Sequence, residues 1–222
     1  AREKGLEELA ELIMLQSEVY EPSLAVQAER FVSEEKGVAS VEGAFAGAKD
    51  IIAENISDNA EFRKEIRSLT NDFGFIVSKA AKEEDSVYAP YYDYNEKINK
   101  IPSHRVLAIN RGEKEEFLKV SVSVDPELIL NFLYNQVLEN TKSPAKQYVC
   151  EAIDDSYDRL IAPSVEREIR SDLFDTASEG AIKLFSDNLK HLLMQPPIKG
   201  KTVLGFDPGY VNGCKTAVVD KT

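Results

Sequence analysis

Residues 143–195 read SPAKQYVCEAIDDSYDRLIAPSVEREIRSDLFDTASEGAIKLFSDNLKHLLMQ, and this stretch decides the fold. Ser143-Pro144 opens a run whose apolar positions are Tyr148, Val149, Ala152, Ile153, Leu160 and Ile161. Val165, Ile169, Leu173 and Phe174 follow at the same spacing, and then Ala177, Ala181, Leu184, Phe185, Leu189, Leu192 and Leu193. Apolar residues three and four apart stack on one face of an α-helix, so the region predicts helix almost throughout. Pro163 is expected to interrupt it, because a proline lacks the amide hydrogen and crowds the preceding turn. Gln195-Pro196-Pro197 is expected to end it.

Beyond those prolines the period changes. Thr202-Val203-Leu204-Gly205-Phe206 predicts a strand, Asp207-Pro208-Gly209 a turn, and residues 214–220 a second strand. Two strands alone are marginal, so the hairpin is expected to begin a further domain, with the boundary at residues 196–201. The chain stops directly afterwards, at Thr222, and is expected to be a piece of a longer polypeptide.

Toward the N-terminus the pattern is again helical. Residues 3–16 repeat Leu6, Leu9, Leu12 and Ile13 opposite Glu7, Glu8 and Glu11. Pro22 suits a first helical turn, and Ala25, Ala28 and Phe31 continue from it until Gly37. Ser40 predicts an N-cap for a helix through Ala44, Ala48, Ile51, Ile52 and Ile56, whose small residues admit a close neighbour. Asp58 or Asn59 can cap the next, which carries Phe62, Ile66 and Leu69. After Gly74, Phe75-Ile76-Val77-Ser78 is a short β-type run.

Residues 82–100 show no sustained period and predict an ordered connector. Its tyrosines, Tyr88, Tyr91, Tyr92 and Tyr94, either stack on bases or pack the connector onto the helices. Ser103 is expected to cap a helix with Val106, Leu107 and Ile109 inward, and Gly112 to end or bend it. Residues 116–124 alternate apolar and polar, a strand signature. Asp125-Pro126 then opens a helix with Leu128, Ile129, Phe132 and Leu133 inward. The fold class expected is mainly α, with a short β element near 116–124 and a C-terminal β-hairpin.

Composition narrows function. The 222 residues are 43% hydrophobic and 30% charged, with 27 Lys plus Arg against 39 Asp plus Glu, a net charge of −12. Nucleic-acid affinity draws heavily on cations that displace counterions from phosphate, so this chain is not expected to be a strong binder by itself. A local basic patch remains compatible with that total. No run of about 18 apolar residues suggests a membrane span, and the opening AREKGLEELA carries no signal-like apolar stretch. A cytoplasmic globular chain without membrane partners is expected. Cys150 and Cys214 are too few for a disulfide framework or zinc cluster and are expected to be buried small hydrophobes.

Three stretches together carry a resemblance: residues 28–39, AERFVSEEKGVA, with the small-residue helix after them; residues 91–94 through 101–113, YYDY to IPSHRVLAINRGE; and residues 161–170, IAPSVEREIR, running on to 204–209, LGFDPG. In order and spacing they resemble the Tex family of bacterial transcription accessory proteins across nearly the whole chain. The resemblance implies a helical region with helix-turn-helix character over residues 1–198. Residues 199–222 would be the first hairpin of a YqgF-type RNase H-like domain. Helix-hairpin-helix elements and an oligonucleotide-binding barrel would follow outside these residues and supply the main RNA or DNA contact.

That implied fold gives Asp207 a candidate role. In RNase H-like enzymes a first-strand carboxylate helps hold divalent metal that brackets the attacking and leaving oxygens. Asp-Pro-Gly is equally ordinary turn chemistry, and the other ligands would come from outside the chain, so no catalysis, metal or cofactor is expected here. His104 and His191 have no ligand-spaced neighbours. No Gly-rich phosphate loop and no Gly-x-Ser-x-Gly elbow is present.

The candidate nucleic-acid contacts are Arg105, Arg111 and Lys114, joined by Lys119, and a second set of Arg159, Arg167 and Arg170. Interspersed glutamates allow intrahelical ion pairing and a solvated face instead. The function expected is a non-enzymatic core that positions RNA- or DNA-binding modules and offers a face to RNA polymerase or the ribosome. The alternatives are part of a metal-dependent RNase H-like nuclease or resolvase, and a protein-binding helical module.

Overall fold

A computed structural model describes residues 2–82, 84–196, 199–209, 211 and 213–220. It separates into two compact units, Ala1–Glu179 and Gly180–Thr222. The fold is mainly α with short antiparallel β elements.

The first unit is organised by α3, Val41–Asp58. Its small and β-branched residues Ala44, Ala48, Ile51, Ile52, Ala53 and Ile56 are buried. They lie along α7, Lys146–Asp155, and the π-helical turn Ser156–Ile161 after it. Those two elements bury Val149, Ala152, Ile153, Tyr157 and Ile161. Burying an isoleucine or valine contributes about 1.5–3 kcal/mol, so this seam is a principal source of stability. Phe45 stacks on Tyr148 at its edge, ring centroids 4.2 Å apart. Helices α1, Glu7–Met14, and α2, Leu24–Glu29, pack on the same core.

The expected first helix is shorter than residues 3–16. A 3-10 turn at Arg2–Lys4 and Gly5, with φ 74°, separate Leu6 from the residues before it. Helix α2 ends before Phe31, and a Ser33–Val38 bridge precedes Ser40. Three caps form as their residue types require. Ser40 Oγ accepts from the Gly43 amide at 3.1 Å. Asn59 Oδ1 accepts from Glu61 and Phe62 at the start of α4, Ala60–Phe73. Asp125 Oδ1 accepts from Glu127 in α6, Pro126–Val137. Each satisfies an amide that the first helical turn leaves without a partner.

Four expectations change. The connector contains a strand: β2, Asp93–Lys97, pairs antiparallel with β1, Phe75–Ala80, which also pairs antiparallel with β3, Leu118–Ser123. The order is β2-β1-β3, and β2 is a polar edge strand, so no apolar alternation announces it. Ser103 does not cap α5, Ser103–Lys114, because Pro102 occupies the N-cap position and Ser103 is the first helical residue. Gly112 does not end that helix, which runs on to Lys114. A Cβ there would lie 2.6 Å from Leu118 Cδ1 and 3.0 Å from Tyr88 Cδ1, so its absent side chain lets strand and connector close on the helix. Pro163 does not interrupt the helical run, because it sits in the first turn of α8, Ala162–Leu193, directly after the π turn. The wider turn before it accommodates the missing amide hydrogen.

Helix α8 is joined to α4 by Arg63–Glu168 and Arg67–Asp172 ion pairs. Of the cysteines, Cys150 is half-buried and Cys214 exposed, so neither is the buried hydrophobe expected.

The second unit holds the end of α8 and the hairpin β4, Val203–Asp207, with β5, Lys215–Val219, in register from Val203↔Val219 to Asp207↔Lys215. Leu204, Phe206, Val218 and Val219 are exposed. Pro197 and Ile198, in the expected interdomain segment, lie outside the described residues.

Candidate nucleic-acid interface

Helix α5 distributes its side chains over three faces. Val106, Ile109 and Gly112 turn into the core. Arg105 lies toward β2, where its guanidinium donates to both carboxylate oxygens of Glu96 at 3.0 Å and to the Tyr94 hydroxyl at 3.4 Å. Tyr94 also donates to Glu96. That hydroxyl first, and then Arg105, hold the Glu96 carboxyl below the usual range, while the bond to Glu96 raises the Arg105 guanidinium. The third face carries His104, Leu107, Arg111 and Lys114 and lines a groove of about 1040 Å³. Arg105 and Arg111, near two turns apart, therefore lie on different faces of the helix.

Lys119 is exposed on β3, opposite Lys79 of β1, whose other neighbour in register is Asp93. The second cationic set is spread. Arg159 donates to Asp155 at 3.0 Å and reaches Asp50 at 3.3 Å, which lowers the Asp155 carboxyl. Arg170 donates to the Val120 carbonyl at 3.2 Å and pairs with Glu113 of α5. Arg167 is exposed and donates to the Pro163 carbonyl at 3.2 Å. Arg105, Arg159 and Arg170 are thus held by carboxylates. The pairs of Arg105 and Arg170 run between elements, whereas the sequence suggested pairing within one helix.

The tyrosines pack the connector. Tyr88 is 6% exposed and donates to Glu115 at 2.9 Å, and burial first, then that bond, push its hydroxyl up. Tyr91 meets Tyr94 edge to face with centroids 5.2 Å apart. Tyr92 bonds Ser86 and the Glu84 carbonyl.

Asp207 is the last residue of β4, exposed and in register with Lys215. Among the described residues no three His, Cys, Asp or Glu side chains could hold a metal ion together. Both histidines are exposed. No described helix is long and apolar enough to cross a membrane.

A family profile described as Tex central region-like matches residues 21–185. The chain belongs to the Tex family. It is 49% identical over 226 residues to YdcI of Bacillus subtilis (strain 168), covering 100% of this chain and 31% of the relative. It is 33% identical to Protein tex of Bordetella pertussis, covering 100% of this chain and 30% of the relative. A human relative, S1 RNA-binding domain-containing protein 1, is 29% identical over 84% of this chain and 20% of its own length. The Tex chain spans about three tenths of the length of the bacterial relatives it matches.

What the sequence did not reveal in this Tex chain is the groove, because Val87 and Phe174 reach it from separate elements. Leu107, expected inward with Val106 and Ile109, instead lies half-buried on the groove face, and the signal that could have placed it there is its i, i+4 spacing to Arg111.

Proposed function

We propose that this chain is the non-enzymatic structural core of a transcription accessory protein, positioning RNA- or DNA-binding modules that lie outside these residues. The observation that carries the reading is the use made of its cations: Arg105, Arg159 and Arg170 sit in ion pairs within a chain of net charge −12. An arginine already paired must give up its carboxylate before it can take a phosphate. Arg105 ties α5 to β2, and Arg170 ties α8 to α5 and β3, so their role is architectural. The human relative's name places an S1 RNA-binding domain in a longer protein, consistent with affinity residing elsewhere. In this reading β4 and β5 begin an RNase H-like domain without catalysis, the protein acts in the cytoplasm, and RNA polymerase or the ribosome is the large partner.

The test is a fluorescence anisotropy titration with labelled single-stranded RNA, single-stranded DNA and duplex DNA at two salt concentrations, comparing this chain with full-length YdcI. Weak binding by the chain beside tight, salt-sensitive binding by the full-length relative supports the reading. Tight, salt-dependent binding by the chain alone overturns it.

A further inference from the structure

The third face of α5 has no role in the scaffold just described. It runs from His104 to Glu115, about 16 Å at about 1.5 Å per residue. Across the groove stands the connector with Val87 and Pro90, and Phe174 of α8 borders it, 43% exposed. Leu107 and Ala108 are only half-buried, so with Val87, Pro90 and Phe174 they leave apolar surface in contact with water. Arg111 and Lys114 are exposed beside that surface and make no ion pair among the described residues, in contrast to Arg105, Arg159 and Arg170. An apolar channel bordered by unpaired cations, on a chain that is strongly acidic overall, calls for an occupant that is apolar at its centre and negative at its edges.

We propose that this groove docks an acidic amphipathic peptide segment of a partner protein. One or two large apolar side chains of that segment enter between Leu107, Ala108 and Phe174, and flanking carboxylates meet Arg111 and Lys114. The inference goes beyond the scaffold reading, which would stand with the groove empty.

The details favour a polypeptide over a nucleic acid. Base stacking needs open aromatic faces. Tyr88 is buried and tethered to Glu115, and Tyr91 is engaged edge to face by Tyr94, which leaves Phe174 as the exposed ring. The other apolar residues of the groove are aliphatic. An exposed face of three helical turns with apolar positions at its centre instead matches the helix-in-groove and extended-segment modes of peptide capture.

The experiment selects a random dodecapeptide phage library on this chain, then titrates the best enriched peptide, fluorescein-labelled, by anisotropy. The proposal expects enriched sequences that combine Asp or Glu with a large apolar residue. Affinity should fall at least tenfold in Arg111→Glu/Lys114→Glu and in Phe174→Ala, and stay unchanged in Lys64→Glu on α4. Circular dichroism melts establish that the variants fold, and Arg111→Gln/Lys114→Gln, expected to lose severalfold, serves if the charge reversal does not. Failure to enrich any peptide, enrichment of neutral or basic ones, or equal binding by the groove variants overturns the proposal. So does single-stranded RNA binding abolished by the same substitutions, which would give the groove to nucleic acid. Self-association abolished by them would give it to a second copy of the chain. Oligonucleotide titrations test the scaffold separately, so the two readings can fail independently.

Discussion

Gln16 and Asn140 hold one another reciprocally across 124 residues of chain: the Gln16 side-chain carbonyl accepts from the Asn140 amide at 3.2 Å, and the Asn140 side chain donates to the Gln16 carbonyl at 3.1 Å. The same Gln16 oxygen accepts from Glu139, and its Nε2 donates to the Val137 carbonyl at 2.9 Å. A buried glutamine just after α1, with φ 47°, thus satisfies the backbone that follows α6.

Replacing it by a hydrocarbon of similar size leaves those backbone groups unpaired in the interior. Gln16→Leu is expected to destabilise the first unit by roughly 2–4 kcal/mol, since each orphaned buried group costs about 1–3 kcal/mol. Urea denaturation followed by circular dichroism measures it, and a loss below about 1 kcal/mol would mean that water replaces the clamp.

Arg170 separates architecture from binding. Arg170→Met removes its bond to Val120 and leaves the Glu113 carboxylate without that partner, so stability should fall by about 1–3 kcal/mol. Oligonucleotide affinity should not change. A variant that keeps its stability and loses RNA or DNA binding would make Arg170 a contact residue.

Acid should loosen the sheet through Glu96. Its folded-state carboxyl is held low by Tyr94 and Arg105, so its contribution is present above the unfolded value of about 4.3 and is lost as pH falls through the folded value. Glu151, held low by Lys49, and Asp155, held low by Arg159, act in the same direction. Urea midpoints should be flat from neutral to about pH 5 and fall below that. Glu96→Gln should lower the neutral plateau and make the acid decline shallower; an unchanged acid slope would remove Glu96 from the account.

Two glycines should respond with opposite sign. A Cβ at Gly74 would sit 2.4 Å from the Thr70 carbonyl oxygen and 2.8 Å from Ile98 Cδ1, so Gly74→Ala is expected to cost about 1–3 kcal/mol. Gly43, in the first turn of α3, has only Ser40 Oγ within reach, at 3.6 Å. Gly43→Ala is expected to gain about 0.5–1 kcal/mol through helix propensity. Thermal melts of the two variants compare them directly, and a stabilised Gly74→Ala would show that the α4–β1 junction has room to relax.

The legible parts of this fold were those that a single side chain or a local period decides. Ser40, Asn59 and Asp125 cap because a short oxygen-bearing side chain before an apolar run has few other uses. Strand β3 was visible because one face is apolar. Strand β2 was not, since Asp93, Asn95 and Glu96 owe their pairing to β1 rather than to any pattern of their own. Gly112 and Pro163 misled because their residue types signal breaks, whereas the close approach of Leu118 and the π turn before Ala162 decide what they do. At the candidate interface, the sequence pointed to cationic residues but not to which were already neutralised: Glu96 and Glu113 reach Arg105 and Arg170 only through the tertiary fold.

The seam between α3 and α7 also has a consequence for synthesis. Lys49 on one side pairs with Glu151 on the other, 102 residues later. At about 5–20 residues per second, the apolar face of α3 waits about 5–20 seconds on the ribosome before its cover is translated. During that interval the side of α3 that α7 will cover stays open, although α1 and α2 are already made, and chaperones of nascent chains would recognise it. Slow codons between the two helices would lengthen the wait, so translation speed over that stretch should influence how much of the protein is recovered in soluble form.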